Sequence, residues 1–268
     1  MNQVIQAALD AGAAIMDIYK KDFDVEYKED DSPLTIADQK AHQLIADVLR
    51  DAFPDIPVLS EEGKQLPFPE RAAWKDLFLV DPLDGTKEFI KKNDEFTVNI
   101  ALVKQGAPVF GVIYAPALDL LYIGEVGEGS LKVEQASVTA KEIREGESWF
   151  SHGTRLPEQE PQQNKARVVA SRSHMSEETE AFIEKLKKEY DSVDTVSSGS
   201  SLKLCLIAEG AADIYPRFAP TMEWDTGAGQ AIIEAAGGTV HTTDSSKNLT
   251  YNKENLRNPW FVAESVKS

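Results

Sequence analysis

Cysteine is almost absent from this chain. Its one residue, Cys205, cannot close an internal disulfide, which excludes the cross-linked framework of small secreted domains. Basic residues are scarce: Lys and Arg number 28 against 45 Asp and Glu, a net charge of −17. That balance argues against a nucleic-acid polymer as partner, because neutralising phosphates takes clustered cations. Long apolar runs are missing too. FTVNIALV and PVFGVIYAP have only strand length, whereas a membrane span needs roughly 20 apolar residues. The opening MNQVIQAALDAG has neither the basic start nor the apolar stretch of a signal peptide. Histidine numbers four and never falls at zinc-site spacing. The expectation is a soluble cytoplasmic protein, monomeric or homodimeric, with loose association with the inner face of the membrane left open.

What is present is the composition of a folded globular protein: 268 residues, 42% apolar and 27% charged, enough for one large domain or two modest ones. Val4, Ile5, Ala8, Leu9, Ile15, Met16 and Tyr19 repeat at helical spacing and predict an amphipathic first helix. Val25 to Lys28 reads as a strand. After the turn DDSP, a second helix runs from Thr35 and ends before Pro54, with Asp38 in its first turn. PVLSEEG and DLFLVDPLDGT are short apolar runs that stop at acidic residues and glycine, strands that deliver carboxylates at their ends. From Phe96 to Val133, four apolar segments separated by Gly, Pro and Asp predict an antiparallel meander.

Between about Glu145 and Asn164 the periodicity lapses, as in a surface connection. Beyond it strand and helix alternate: RVVAS, a helix from about Glu177 to Tyr190, SVDTVS, a helix around Leu202 to Ala208, ADIYP, a helix around Thr226 to Ala236, and GTVHT. The expected division is therefore 1–165 and 166–268. Lys185, Lys187 and Lys188 read as a solvated helix face, Cys205 as buried filler, His42 as a helix-face residue, His152 as a loop residue and His241 as part of a late strand.

The chemistry concentrates in Asp81-Pro82-Leu83-Asp84-Gly85-Thr86. A buried strand ending in two Asp residues, with Pro fixing the backbone between them, aims two carboxylates and a carbonyl at one point, a hard oxygen set that suits Mg²⁺. The helix start at Gly85 and Thr86 adds backbone N–H groups that favour a phosphate oxygen. An EF-hand loop is excluded, because it needs acids at positions 1, 3 and 5 with Gly at 6. The spacing of Asp81 and Asp84 also departs from phosphatases that place a nucleophilic Asp two residues before a second one. Asp38, Glu61, Glu62 and Asp225 fit a shared centre with them. Taken singly, each such acid is ordinarily a cap or a solvated turn. Together they would repel, so they either stay apart or hold metal.

The set D-P-L-D-G-T (Asp81 to Thr86), S-E-E (Ser60 to Glu62), T-x-A-D (Thr35 to Asp38) and W-D-T-G-A (Trp224 to Ala228) resembles the inositol monophosphatase superfamily of lithium-sensitive, Mg²⁺-dependent phosphatases, in order and spacing over nearly the whole chain. Within it, Ser171 to Thr179, Ser198 to Phe218 and Pro220 to Gly238 look like the bacterial CysQ-type 3′(2′),5′-bisphosphate nucleotidases. The resemblance implies a layered αβαβα sandwich of the sugar-phosphatase kind. It implies two Mg²⁺ ions and leaves room for a third, weaker one near Glu61 and Asp38. Glu61, Asp81 and the Leu83 carbonyl would hold one ion, and Asp81, Asp84 and Asp225 the other. Asp38 paired with Thr86 would orient a metal-activated water for direct in-line attack. The amides of Gly85 and Thr86 would hold phosphoryl oxygens.

A bisphosphate has a second phosphate to bind, for which Lys203 and Arg217 with Gly199 and Ser200 are suitable partners. His174, at a predicted strand end, would contact the adenosine. The implied activity is hydrolysis of adenosine 3′,5′-bisphosphate to AMP and phosphate, with the sulfated precursor nucleotide as a further substrate, in the service of sulfate assimilation. The rivals are an inositol or fructose bisphosphate phosphatase with the same metals, and a noncatalytic nucleotide sensor.

Overall fold

A computed structural model describes residues 1–20, 36–144, 146–162, 164–170, 175–244 and 247–266, with the backbone of two short strands at 25–27 and 33–35. The chain opens with α1 (Asn2–Tyr19), the antiparallel pair β1 (Val25–Tyr27) and β2 (Pro33–Thr35), and α2 (Ile36–Ala52). Seven strands follow: β3 (Val58–Ser60), β4 (Asp76–Asp84), β5 (Thr97–Lys104), β6 (Ala107–Ala115), β7 (Leu120–Glu125), β8 (Gly129–Glu134) and β9 (Thr154–Leu156). They form one sheet in chain order, parallel at β3–β4 and antiparallel elsewhere. Three short helices lie in its connections, α3 (Phe68–Arg71), α4 (Thr86–Ile90) and α5 (Ala136–Glu142).

The rest of the chain supplies β10 (Lys165–Val169), α6 (Glu177–Leu186), β11 (Ser192–Val196), α7 (Leu202–Glu209), β12 (Ile214–Arg217), α8 (Glu223–Ala235), β13 (Thr239–Thr242) and β14 (Phe261–Glu264). The strands form a second sheet in the order β11-β10-β12-β14-β13.

Period-two alternation builds the layers. On β4, Phe78 and Val80 face the core made with α1 and α2, while Leu77 and Leu79 face the core shared with α7 and α8. On β10, Val169 joins that central core and Val168 joins a third one, with Ile183 and Leu186 of α6. The result is helix pair, sheet, helix pair, sheet, helix: the αβαβα sandwich expected from the sequence. No helix among the described residues is long and apolar enough to cross a membrane.

α8 is the shared middle of the structure, and glycine lets it lie close to the first sheet. A Cβ on Gly111 of β6 would collide with the backbone of Ala228, and one on Gly124 of β7 with the backbone of Ile232. Backbone, unlike a flexible side chain, has nowhere to go.

Several elements differ from the sequence reading. α6 stops at Leu186 rather than near Tyr190, because the backbone tightens into three-residue turns, with Lys188 N donating to Lys185 O at 3.0 Å and Glu189 N to Leu186 O at 2.9 Å. α8 begins at Glu223, three residues before the expected Thr226, because Asp225 itself caps it by accepting from Met222 N at 2.8 Å. β14, which sits between β12 and β13, has no counterpart in the sequence reading. Lys28 and the turn residues Asp30 to Ser32 lie outside the described residues. Cys205 is buried, Lys185, Lys187 and Lys188 are exposed, and His241 is in β13, as expected.

Gly124→Val is expected to destabilise the protein by about 1–3 kcal/mol, the usual range for overpacking, or more. Urea unfolding measures it, and a loss below about 0.5 kcal/mol would mean that α8 is not held at this distance.

Candidate active site

The acid cluster begins where β4 loses its regular register. Asp81 is paired with Asn99 and Asp84 with Thr97 on β5, with the ladder broken between them around Pro82, which has no N–H to give. Within that break Leu83 N donates to Asp81 Oδ1 at 3.1 Å, and the Thr86 hydroxyl donates to the Leu83 carbonyl at 3.3 Å. The chain then turns through Gly85 at φ +87° to start α4. A side chain there would be strained by that φ, and its Cβ would lie 3.1 Å from Ser200 Cβ.

The other acids arrive from separate elements. Glu61 follows β3 and extends its parallel ladder, its N–H donating to Val80 O at 3.1 Å. Asp38 lies in the first turn of α2, buried, and Asp225 in the first turn of α8. Ligand oxygens of Glu61, Asp81 and Asp225 all lie within 4.8 Å of one another. Asp84 and Asp38 are close enough to add their charge to that on Asp81. The four sequence motifs therefore meet. Glu62 does not join the three-acid group and instead faces His42, whose imidazole burial holds below its ordinary value against the opposing charge of Glu62; His42 pairs with the buried Ser60 through Nδ1 at 2.9 Å.

Electrostatics follows from the geometry. Burial, then Glu61, Asp84, Asp225 and Asp38, hold the Asp81 carboxyl well above the usual carboxylate range. Burial and Asp84 push Asp225 up to about 8. Burial also raises Asp84 to about 6, opposed by the Lys203 ammonium and a hydrogen bond from the Ser201 backbone. Burial pulls the Lys203 ammonium down, opposed by Asp84. A site that strains to ionise its carboxylates is one that a hard cation would relieve, and all its donors are oxygen. The residues present fit a divalent metal ion of the Mg²⁺ type.

Next to the acids, a cavity of about 80 Å³ is lined by Asp84, Ser200, Ser201, Lys203, Arg217 and Asp225 among others. A second cavity of about 120 Å³ is lined by Val169, Met175, Thr179, Tyr215, Phe218 and also by Lys203 and Arg217. Lys203 and Arg217 thus stand between the acidic cavity and a more apolar one. Lys203 Nζ reaches Ser200 O at 3.4 Å, Arg217 Nη2 reaches Pro220 O at 3.3 Å, and Arg217 Nε is buried without a hydrogen-bond acceptor. Gly199 packs on Glu95 so closely that a Cβ would fall 2.7 Å from Glu95 Cβ, which seats the 199–201 turn beside Asp84.

The chain belongs to the inositol monophosphatase family. The sequence profile described as Inositol monophosphatase family matches residues 1–264. The chain is 46% identical over 265 residues to the 3′(2′),5′-bisphosphate nucleotidase CysQ of Salmonella typhimurium, covering 97% of this chain and 98% of that protein. The CysQ of Escherichia coli K12 is 44% identical at the same coverage. Among solved structures, CysQ from Bacteroides thetaiotaomicron, a bacterial member of this family, superposes with a TM-score of 0.86 at 48% identity, over 99% of this chain and 97% of that one. The fold is thus that of the family.

The structure differs from the sequence reading at Thr86 and adds residues to the site. Thr86 commits its one hydroxyl proton to the Leu83 carbonyl rather than to Asp38. His174 lies outside the described residues. Ser201, Tyr215 and Phe218 also line the two cavities, although no sequence motif singles them out. Ser201 is buried and holds Asp84 through its backbone, while its hydroxyl, 2.7 Å from Thr97 Oγ1, donates to Asn99 Oδ1 at 2.7 Å. The run SGSS carried a signal for it, since consecutive serines before a helix are caps or ligands.

The raised carboxyls fix the sign of a pH effect. Their folded-state values exceed the roughly 4 of an unfolded carboxyl, so their contribution to stability is fully present below that pH and lost as pH rises through about 6 for Asp84 and about 8 for Asp225. The metal-free protein is expected to melt several degrees lower at about pH 9 than at about pH 7, and saturating Mg²⁺ to remove most of the difference. Calorimetry in EDTA and in Mg²⁺ measures it; a metal-free melting temperature that climbs over this range would contradict the crowded, buried cluster.

Proposed function

We propose that the protein is a Mg²⁺-dependent 3′(2′),5′-bisphosphate nucleotidase that hydrolyses adenosine 3′,5′-bisphosphate to AMP and phosphate and accepts the sulfated precursor nucleotide as well. The observation that carries the reading is the placement of Lys203 and Arg217 between the acidic cavity and the apolar one. An inositol monophosphate has one phosphate to bind; a nucleoside bisphosphate has a second phosphate for two cations and a base for an apolar cavity. The identity to CysQ proteins of several bacteria supports the same substrate class. In that role the enzyme clears the nucleotide left by sulfate activation.

The residues proposed for the metal are Glu61, Asp81, Asp84, Asp225 and the Leu83 carbonyl, an all-oxygen set sized for two Mg²⁺ ions, with a third near Glu61 and Asp38. When bound, Mg²⁺ supplies neutralising charge and Lewis acidity to the reacting oxygens. Asp38, buried beside Asp81, accepts the proton of the attacking water. The water oxygen bonds to phosphorus as the bond to the ribose 3′ oxygen breaks on the opposite side; that oxygen leaves with the bonding pair and takes a proton from solvent to become the 3′-hydroxyl of AMP, and no phosphoenzyme forms. Gly85 and Thr86 offer backbone N–H groups to the phosphoryl oxygens. Lys203 and Arg217, with Gly199 and Ser200, hold the remaining 5′-phosphate and so fix which ester bond faces the acids. His174 is proposed to contact the adenosine.

The division at 165/166 fits this assignment. Residues 1–165 carry Asp38, Glu61, Asp81 and Asp84; residues 166–268 carry the cations and Asp225. An acidic chain without a polybasic segment suits a cytoplasmic enzyme, monomeric or homodimeric.

Phosphate release is measured with Mg²⁺ or EDTA from adenosine 3′,5′-bisphosphate, inositol 1-phosphate and fructose 1,6-bisphosphate. Mg²⁺-dependent preference for the nucleotide is expected. Preference for either sugar phosphate would discard the role given to Lys203 and Arg217, and no release from any would discard the enzyme. Asp81→Asn is expected to lower kcat by about a thousand-fold or more while the protein stays folded; near-normal turnover would sink the metal assignment.

Lys203→Ala and Arg217→Ala should each raise KM for the bisphosphate by about 10- to 100-fold, the scale of a lost hydrogen bond to a charged group. Hydrolysis of a simple monophosphate ester should change less than about three-fold. Equal losses on both substrates would remove the second-phosphate role.

A further inference from the structure

Glu223 is a fully buried carboxylate two residues from Asp225, and the mechanism does not use it. Its oxygens are taken up by a different part of the chain. Oε2 accepts from Asn252 N at 2.6 Å, and Oε1 accepts from Lys253 N at 3.0 Å and from Lys253 Nζ at 2.6 Å. Asn252 adopts a left-handed φ of +62°, which turns these two successive amides toward one carboxylate. The same segment grips the helix start from the other side. Asn258 Nδ2 donates to Met222 O at 2.8 Å and to Thr226 Oγ1 at 2.9 Å, and Glu223 N donates to Leu256 O at 3.0 Å. Asp225 therefore sits in a turn clamped before and after it.

The same segment also reaches the chain that follows Glu61. Arg71, buried at 2% exposure, donates through Nη1 to Asn252 Oδ1 at 2.9 Å and Lys253 O at 2.6 Å, and through Nη2 to Glu254 O at 2.9 Å. Its Nε reaches Leu66 O at 3.3 Å, and Asn252 Nδ2 returns a bond to Arg71 O at 2.8 Å. Gln65 Nε2 then donates to Ser60 O at 3.0 Å and Glu61 O at 3.4 Å. Hydrogen bonds, joined through the Gln65–Leu66 peptide, link the backbone of Glu61 to the turn of Asp225.

Those two acids come from different sheets' connections, lie within 4.8 Å of each other and repel. Without a restraint the pair would spread when no cation is present, and each ion bound would have to draw it together again. We propose that Glu223 is a positioning residue of the metal centre: with Arg71 and the segment 252–258 it holds Asp225 against Glu61 before an ion arrives. The proposal rests on the metal reading given above. Preorganisation of this kind raises affinity by removing the reorganisation that binding would otherwise require.

The test is a calorimetric titration of metal-free protein with Mg²⁺, beside Mg²⁺ titrations of activity. Glu223→Gln keeps the shape, loses the charge opposite Lys253 and turns one acceptor into a donor. Its Mg²⁺ affinity is expected to fall about ten-fold and its half-saturating Mg²⁺ to rise by the same factor, with KM for the nucleotide at saturating Mg²⁺ unchanged within two-fold. Arg71→Lys, which loses the planar fork, is expected to shift the same way. If Glu223→Gln does not fold, Lys253→Met at the partly exposed end of the pair carries the same expectation.

A folded variant that melts lower but binds Mg²⁺ within two-fold of the unmodified protein would overturn the proposal, since a merely structural role predicts that result. Uptake lost in Asp81→Asn yet unchanged in Glu223→Gln would overturn it alone, whereas an unmodified protein that takes up no Mg²⁺ would overturn the metal reading with it.

Discussion

Repulsion among buried carboxylates is the constraint around which this molecule is organised. Glu61, Asp81 and Asp225 place oxygens within 4.8 Å of one another, with Asp84 and Asp38 alongside. In a low-dielectric setting such a set cannot ionise together without a cation. The fold must supply the restraint that charge opposes. It does so with a broken ladder at Pro82, a parallel ladder that ends at Glu61, and a helix start at Asp225. None of these is an arm that could swing away.

α8 shows how packing serves the site. It contributes Asp225 at its N-terminus and lies along the first sheet, where Gly111 and Gly124 allow backbone to meet backbone. On its other side it packs against α7, whose first turn carries Lys203. One helix therefore sets the distance from the acids of the first sheet's connections to the cations of the second sheet's side. The proposed preference for a bisphosphate rests on that distance, because a bisphosphate is distinguished from a monophosphate by two charged groups at a fixed separation.

Much of this was legible in the chain. The helical spacing in residues 4–19, the meander from Phe96 to Val133 and the acids at Asp81 and Asp84 all express local rules, so they are where the sequence predicts. What went unread has a physical reason in each case. β14 is a short apolar run with no partner signal of its own, and its place between β12 and β13 is a long-range pairing. α8 starts early because its cap is Asp225 reaching backward to Met222, a bond that no preceding polar residue announces. The Glu223, Arg71 and Asn252 network joins three segments far apart in the chain, and no periodicity can show that.

The sequence by itself determined which chemistry was available: oxygen donors in abundance, few cations, no cysteine or histidine arrangement for another metal, and element types dictated by the two periods of helix and strand. It also determined the family, because four short motifs in one order leave little room for chance. Only the tertiary structure decided which of the acids meet and which, like Glu62 and Glu223, turn elsewhere. It also decided that Lys203 and Arg217 stand between two cavities rather than on a surface. Composition and spacing are local properties of the chain, whereas charge repulsion, close approach and cavity shape arise only once distant segments are brought together.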